Sequence, residues 1–223
     1  MNDSRHAAYD RVRERIEIAR AAAGTPRVDL VAVSKTQPAE AIGRLARLGQ
    51  RAFGENYVQE ALRKQQQLAD PSLEWHMIGP LQSNKCRMVA EHFDWLHSLD
   101  RLALIGPLGR HRPSTRQPLD VLVQVNIDDE ASKSGCRPTE VRALARAVEE
   151  QAGLRLRGLM AIPAPGAGTR DAFRRMRMLF DSLRADHPAV DTLSMGMSGD
   201  FEEAIAEGTT MVRIGTLLFG TRA

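Results

Sequence analysis

Val28-Asp29-Leu30-Val31-Ala32-Val33-Ser34-Lys35 runs directly into Thr36-Gln37-Pro38, and this stretch decides the fold. Its apolar, β-branched centre reads as a buried strand. An open doubly wound sheet would place a glycine-rich phosphate turn straight after such a first strand. Here that turn contains no glycine. Working outward, comparable short segments recur near 51–54, 74–78, 94–98, 120–127, 155–161, 191–196 and 210–214, and most of the gaps carry helical patterns. The clearest helix spans Pro138 to Ala152, with Val141, Leu144, Ala145 and Val148 on one face; Asp171 to Leu183 repeats the pattern through Phe173, Met176, Phe180 and Leu183. Strict alternation of strand and helix predicts parallel strands, and eight such units in 223 residues predict an α/β fold, a (β/α)8 TIM barrel. The Pro/Gly-rich segments Gly106–Pro118 and Pro163–Gly168 are loop-sized, so residues 1–223 are expected to form one domain. An extra N-terminal helix, to about Ala23, should pack against or cap the barrel.

The composition narrows the classes. With 43% hydrophobic and 26% charged residues, neither disorder nor a membrane span is indicated. Apolar runs such as Val121–Val123 or Thr216–Phe219 are far too short for a bilayer. Met1–His6 continues into Arg11, Arg13, Glu14, Arg15 and Glu17 without an apolar secretory core, which leads to a cytoplasmic expectation. Cys86 and Cys136 have no metal-ligand or disulfide-framework spacing, which fits a reduced compartment. The net charge of +3 is small, and Arg174-Arg175-Met176-Arg177 reads as a solvated helix face rather than a nucleic-acid footprint.

In a barrel of this kind the working residues come from the carboxyl ends of the strands. Lys35 ends the first. Of the 31 Lys and Arg residues only Lys35, Lys64, Lys85 and Lys133 are lysine, so charge alone does not explain a lysine there. Lysine offers an amine whose pKa falls on burial and which forms a Schiff base with an aldehyde; the alternative is a snorkelling strand-end side chain. Further strand ends carry Glu55-Asn56-Tyr57, His76 with Gly79, Asn126, and Met160. Ser198-Gly199-Asp200 precedes a short helical run, Phe201 to Ala206, whose first N–H groups suit an anion unless Ser198 or Asp200 merely caps it. Gly215-Thr216 forms a second small-residue turn at the next strand end, where this fold usually holds phosphate. Alternation along the last strand turns Met211, Arg213 and Gly215 inward, and an inward guanidinium needs a carboxylate or ligand partner. The same alternation sends Val31, Val33 and Lys35 inward. Amine, arginine and phosphate turns together are the parts needed to hold pyridoxal 5'-phosphate, with the aldehyde on Lys35, the phosphate on Ser198 and Gly215, and the ring nitrogen facing Arg213. A cationic donor there leaves that nitrogen unprotonated and the ring a weak electron sink.

The blocks Val31–Lys35, Phe53–Glu60, Trp75–Lys85, Gln124–Asn126, Lys133–Gly135, Gly158–Met160, Ser194–Asp200 and Arg213–Thr216 run in order along nearly the whole chain. In these the sequence resembles the pyridoxal phosphate homeostasis proteins. The resemblance implies a barrel like the N-terminal domain of alanine racemase. It also implies pyridoxal 5'-phosphate as cofactor, held as an aldimine on Lys35. The expected contacts are Asn56, Met160, Ser198, Gly199, Arg213, Gly215 and Thr216. It further implies a part in cofactor and amino-acid/keto-acid balance without a defined turnover, in a monomer or weak dimer whose partners include apo forms of pyridoxal phosphate enzymes, with no nucleic acid and no membrane. Lys133 matches a loop lysine of the family that captures or hands over cofactor; an exposed loop lysine is the other reading. Alanine racemase-like enzymes add a β-rich domain with a tyrosine base; with ten residues after Arg213, that domain and its base are expected to be missing. Tyr9 and Tyr57 are read as helical packing residues, His76 as a hydrogen-bonded strand histidine near the mouth, and His92, His97, Trp75 and Trp95 as core or surface. The alternative function is a racemase or lyase using the same aldimine.

Overall fold

The computed structural model describes residues 2–130, 133–164, 166 and 168–220. The strands are β1 (Asp29–Val33), β2 (Ala52–Glu55), β3 (Glu74–Met77), β4 (Trp95–Leu99), β5 (Leu119–Val125), β6 (Leu154–Ala161), β7 (Thr192–Ser194) and β8 (Met211–Ile214). They pair in chain order, all parallel, and β8 closes onto β1 through Val31↔Arg213 and Ala32↔Ile214. The helices are α1 (Asn2–Ala23), α2 (Ala39–Arg47), α3 (Val58–Leu68), α4 (Cys86–His92), α5 (Ile105–His111), α6 (Val141–Glu149), α7 (Thr169–Asp186), α8 (Phe201–Ala206) and α9 (Thr216–Phe219). This is the expected (β/α)8 barrel.

Alternation along the strands separates two apolar layers. Leu30, Ala32, Val212 and Ile214 face the helices and join the large outer core with Phe53, Leu96, Phe173 and Phe180. Val31, Trp95, Leu122, Met160 and Met211 pack on one another inside the barrel. Helix boundaries differ from the sequence reading by a few residues. The expected helix from Pro138 opens with a 3-10 turn, Pro138–Glu140, before α6, because Pro138 supplies no N–H and the Glu140 carboxylate accepts from the Arg137 N–H at 2.8 Å. Of the loop expected over Pro163–Gly168, Pro165 and Ala167 lie outside the described residues.

Helix α1 packs against α8 and α9. Arg15 pairs with Glu202 at 2.8 Å and lies 4.8 Å from the centre of the Phe201 ring. Tyr9 is buried and bonds to Gln50, whose amide in turn donates to the carbonyls of Leu30 and Ala52 at 2.7 Å each. Four arginines of α7 are exposed or half-buried and meet acids: Arg170 and Arg174 meet Glu207, Arg175 meets Asp128 and Asp171, and Arg177 meets Asp181. That pairing disperses the positive charge of the Arg174–Arg177 cluster. Cys86 and Cys136 are buried free thiols, and burial pushes Cys136 up to about 12. No helix among the described residues is long and apolar enough to cross a membrane.

Candidate cofactor-binding site

Residues expected at the site leave five neighbouring strands on one arc of the barrel, β6-β7-β8-β1-β2. Met160 belongs to β6, Ser198 and Gly199 follow β7, Arg213 lies in β8 with Gly215 and Thr216 just after it, Lys35 follows β1, and Asn56 follows β2.

Lys35 is partly buried in the turn after β1. The next residue, Thr36, has a positive φ of 64°, a left-handed conformation that costs a residue with a Cβ about 1 kcal/mol. A buried ion cluster holds this turn. The Thr36 N–H donates to Glu60 Oε1 at 2.6 Å, and Lys64 Nζ donates to the Ser34 carbonyl at 2.8 Å. Lys64 also binds Glu55 Oε1 at 2.7 Å and Glu60 Oε1 at 2.6 Å, while the Ser34 hydroxyl donates to Glu55 Oε1 at 2.6 Å. Burial pushes the Glu55 carboxyl above its ordinary range, against the pull of Lys64 and Ser34. Sequence reading missed Lys64. The i, i+4 spacing of Glu60 and Lys64 signals a helix-surface pair, but only the fold shows that α3 lays this pair under the Lys35 turn.

Arg213 points inward as the alternation predicts and is 3% exposed. The expectation of a carboxylate or ligand as its direct partner is corrected in part. Its Nη1 donates to the Ser194 hydroxyl at 2.7 Å and its Nη2 to the Ala161 carbonyl at 2.9 Å, so neutral acceptors satisfy both. Burial lowers its pKa to about 10, with Asp200 opposing, and the group stays cationic at neutral pH. Ser194 is a further residue that sequence reading did not single out.

The two small-residue turns sit side by side, after β7 and β8. Helix α8 begins without a side-chain cap, because the Asp200 carboxylate turns back to accept from the Met197 N–H at 2.6 Å. The simple capping alternative for Ser198 and Asp200 is therefore not realised. Helix α9, opening at Thr216 after Gly215, also lacks a side-chain cap. A Cβ on Gly215 would stand 3.2 Å from the Val33 carbonyl, so glycine lets this turn approach β1. Met160 is fully buried in the inner apolar cluster and gives the site an apolar floor. Behind Asn56, a Cβ on Gly79 would lie 2.4 Å from the Asn56 carbonyl oxygen, so only glycine admits that backbone approach.

Lys133 follows β5, next to the arc, and lines a small cavity of about 200 Å³ together with Asn56, Gly79 and Ile162, while its amine pairs with Asp128 at 3.0 Å. Two other readings turn out differently. Tyr57, expected to pack, is 60% exposed because it precedes α3 and carries no buried contact face. His76 is hydrogen-bonded as expected, but it lines the cavity at the amino-terminal end of the barrel rather than the mouth. Among the described residues no cluster suited to a metal ion occurs.

The alanine racemase N-terminal domain family matches residues 8–223. A pyridoxal phosphate homeostasis protein of Escherichia coli is 52% identical over 230 residues, covering 100% of this chain and 98% of that protein. The chain belongs to the pyridoxal phosphate homeostasis protein family. Another member, from Pseudomonas aeruginosa, is 55% identical over 210 residues, covering 92% of this chain and 90% of its own. A solved homologue, PipY of Synechococcus elongatus with pyridoxal phosphate bound, is 42% identical with a TM-score of 0.79, covering 87% of this chain and 93% of that one. Alanine racemase of Corynebacterium glutamicum, at 18% identity and a TM-score of 0.69 over 96% of this chain and 61% of that one, shares the fold. This member of the homeostasis family thus carries its Lys35 turn on the barrel architecture common to both groups.

Proposed function

We propose that this chain holds pyridoxal 5'-phosphate as a Schiff base on Lys35 and serves the intracellular balance of that cofactor and of amino and keto acids, without turning over a substrate of its own. The observation that carries the reading is the arc of adjoining strands β7, β8 and β1, which sets two uncapped helix starts and an inward, cationic Arg213 beside the Lys35 turn. The N–H groups at Ser198-Gly199 and Gly215-Thr216 hold the phosphate, Met160 lies under the ring, Asn56 flanks it, and the Arg213 guanidinium faces the ring nitrogen. When bound, the cofactor supplies an aldehyde and an electron-withdrawing ring. Arg213, a donor that remains charged at neutral pH, keeps the ring nitrogen unprotonated and so limits that withdrawal. Tyr9 is hydrogen-bonded to Gln50 at the other end of the barrel and is not placed to act as a base on the cofactor. The barrel acts as a single domain in the cytoplasm, and apo forms of pyridoxal phosphate enzymes are the acceptors of its cargo.

The test is a titration of the purified protein with pyridoxal phosphate, followed by visible absorption and by α-proton exchange of L- and D-alanine in deuterated water. A bound visible band with no sustained exchange is expected. A protein that cannot be loaded would overturn the reading, and catalytic exchange over many turnovers would replace it with the racemase or lyase alternative.

A further inference from the structure

A line of hydrogen bonds crosses the barrel interior and ends on Arg213. Arg213 Nη1 donates to Ser194 Oγ at 2.7 Å, and Ser194 Oγ lies 3.3 Å from His97 Nδ1. His97 Nε2 is 2.9 Å from His76 Nδ1, and His76 Nε2 is 2.6 Å from Glu74 Oε1. Ser194, His97 and His76 are 0% exposed, whereas the Glu74 side chain is 46% exposed. Glu74 and His76 line a cavity of about 1080 Å³ at the amino-terminal end of the barrel, opposite the Lys35 turn. The line therefore joins solvent at one end of the molecule to the guanidinium at the other.

One proton assignment satisfies every link with neutral imidazoles. A guanidinium only donates, so Ser194 Oγ accepts from Arg213 and sends its own hydrogen to His97 Nδ1. A neutral His97 then carries its proton on Nε2 and donates to His76 Nδ1. His76 carries its proton on Nε2 and donates to the Glu74 carboxylate. Every donor points the same way, from Arg213 toward Glu74. Burial, reinforced by the charge of Arg213, holds His97 well below the ordinary histidine range and keeps it neutral. Burial pushes Glu74 up, but the bond from His76, the Trp95 side chain and the Arg157 charge together hold it below the ordinary carboxylate range. The remaining groups facing this line are fixed: His76 stacks on Trp95 at 5.3 Å, and Arg157 lies 4.7 Å over the same ring while paired with Asp120 and Asp191. Asp200 acts on Arg213 from the mouth.

We propose that Ser194, His97, His76 and Glu74 are positioning residues for Arg213, acting as one oriented hydrogen-bond chain that carries the state of the amino-terminal cavity to the guanidinium. The proposal rests on the reading that pyridoxal phosphate is held with its ring nitrogen at Arg213. Hydrogen bonds in a buried line polarise one another, so the ionised Glu74 strengthens each donor–acceptor link up to Ser194. A firmly held Arg213 presents its remaining N–H donors in a fixed direction. Loss of the Ser194 hydroxyl strands both Arg213 Nη1 and His97 Nδ1 without their partner. Loss of the Glu74 charge, at the far end, weakens the same links without touching the cofactor pocket.

The experiment has two arms. In the first, the cofactor-free protein labelled with 15N-histidine is examined by long-range 1H–15N correlation at neutral pH. The chain requires both His76 and His97 as neutral tautomers protonated on Nε2, and a proton on His97 Nδ1 would overturn the assignment. In the second, wild type, Ser194→Ala, Ser194→Thr and Glu74→Gln are loaded with pyridoxal phosphate, and affinity and the pH midpoint of the visible band are read. Ser194→Ala should weaken loading about tenfold, the size expected for one hydrogen bond to a charged group. Ser194→Thr should restore it. Glu74→Gln should move the pH midpoint in the same direction as Ser194→Ala. A Glu74→Gln band identical to wild type at every pH would overturn the positioning role. If wild type itself takes up no cofactor, the functional reading fails, and the tautomers of the first arm still decide whether the chain is oriented.

Discussion

Lys35 is presented by a turn that its own sequence does not favour, and the cluster beneath it supplies what that turn lacks. Thr36 sits at a φ of 64° with its N–H on Glu60, while Lys64 grips both that carboxylate and the Ser34 carbonyl. Lys64→Met would leave the buried Glu55 and the Glu60 carboxylate without a counter-charge. Breaking a buried pair from one side costs about 3–5 kcal/mol, so urea unfolding of this variant should show a loss of that order, together with slower loading of Lys35. A change within measurement error would mean that the turn stands without the cluster. Glu74 makes a separate prediction in pH. Its folded pKa is depressed, so its contribution to stability is complete above the unfolded value of about 4.3 and disappears as pH falls through the folded value. The stability gap between wild type and Glu74→Gln should therefore be open at neutral pH and close in acid. A gap that widens on acidification would reverse the sign and refute the assignment.

At the scale of elements, the segment from β7 to α8 joins sequence to site. The sequence suggests a strand over 191–196, yet β7 covers only Thr192–Ser194. Gly196 explains the difference: its φ is 89°, which ends extended geometry, and a Cβ there would stand 2.6 Å from the Ala204 Cβ. Gly196→Ala should lower the melting temperature by several degrees and loosen the Ser198–Asp200 turn, seen as weaker retention of inorganic phosphate; an unchanged melting curve would show that α8 can move aside. Other elements were readable because their chemistry is local. The β-branched residues of buried parallel strands mark β1 and β5, and the apolar spacing of α6 and α7 marks their buried faces. Alternation alone turned Arg213 inward. What the sequence did not disclose were contacts between distant strands. Ser194, His97 and His76 meet only because a closed barrel brings β7, β4 and β3 around one interior, and no local pattern encodes that closure.

For the whole molecule, the barrel divides its work between its ends. The carboxyl end carries Lys35, the two uncapped helix starts and Arg213; the amino end opens as a cavity lined by paired charges such as Arg157 with Asp120 and Asp191, and by Gln50 under Tyr9. Because cofactor binds the folded barrel, loading should stabilise the molecule as a unit, by about 2.7 kcal/mol at a hundredfold excess over the dissociation constant. Thermal melts should rise with added pyridoxal phosphate in wild type and not in Lys35→Ala; a rise of equal size in both would place the ligand elsewhere. The most direct test of the central claim is borohydride reduction of the loaded protein followed by peptide mass mapping. The account predicts one stoichiometric reduced adduct, on Lys35, that is lost in Lys35→Ala. An adduct whose primary site is Lys64, Lys85 or Lys133, or one that persists at full yield in Lys35→Ala, would contradict it.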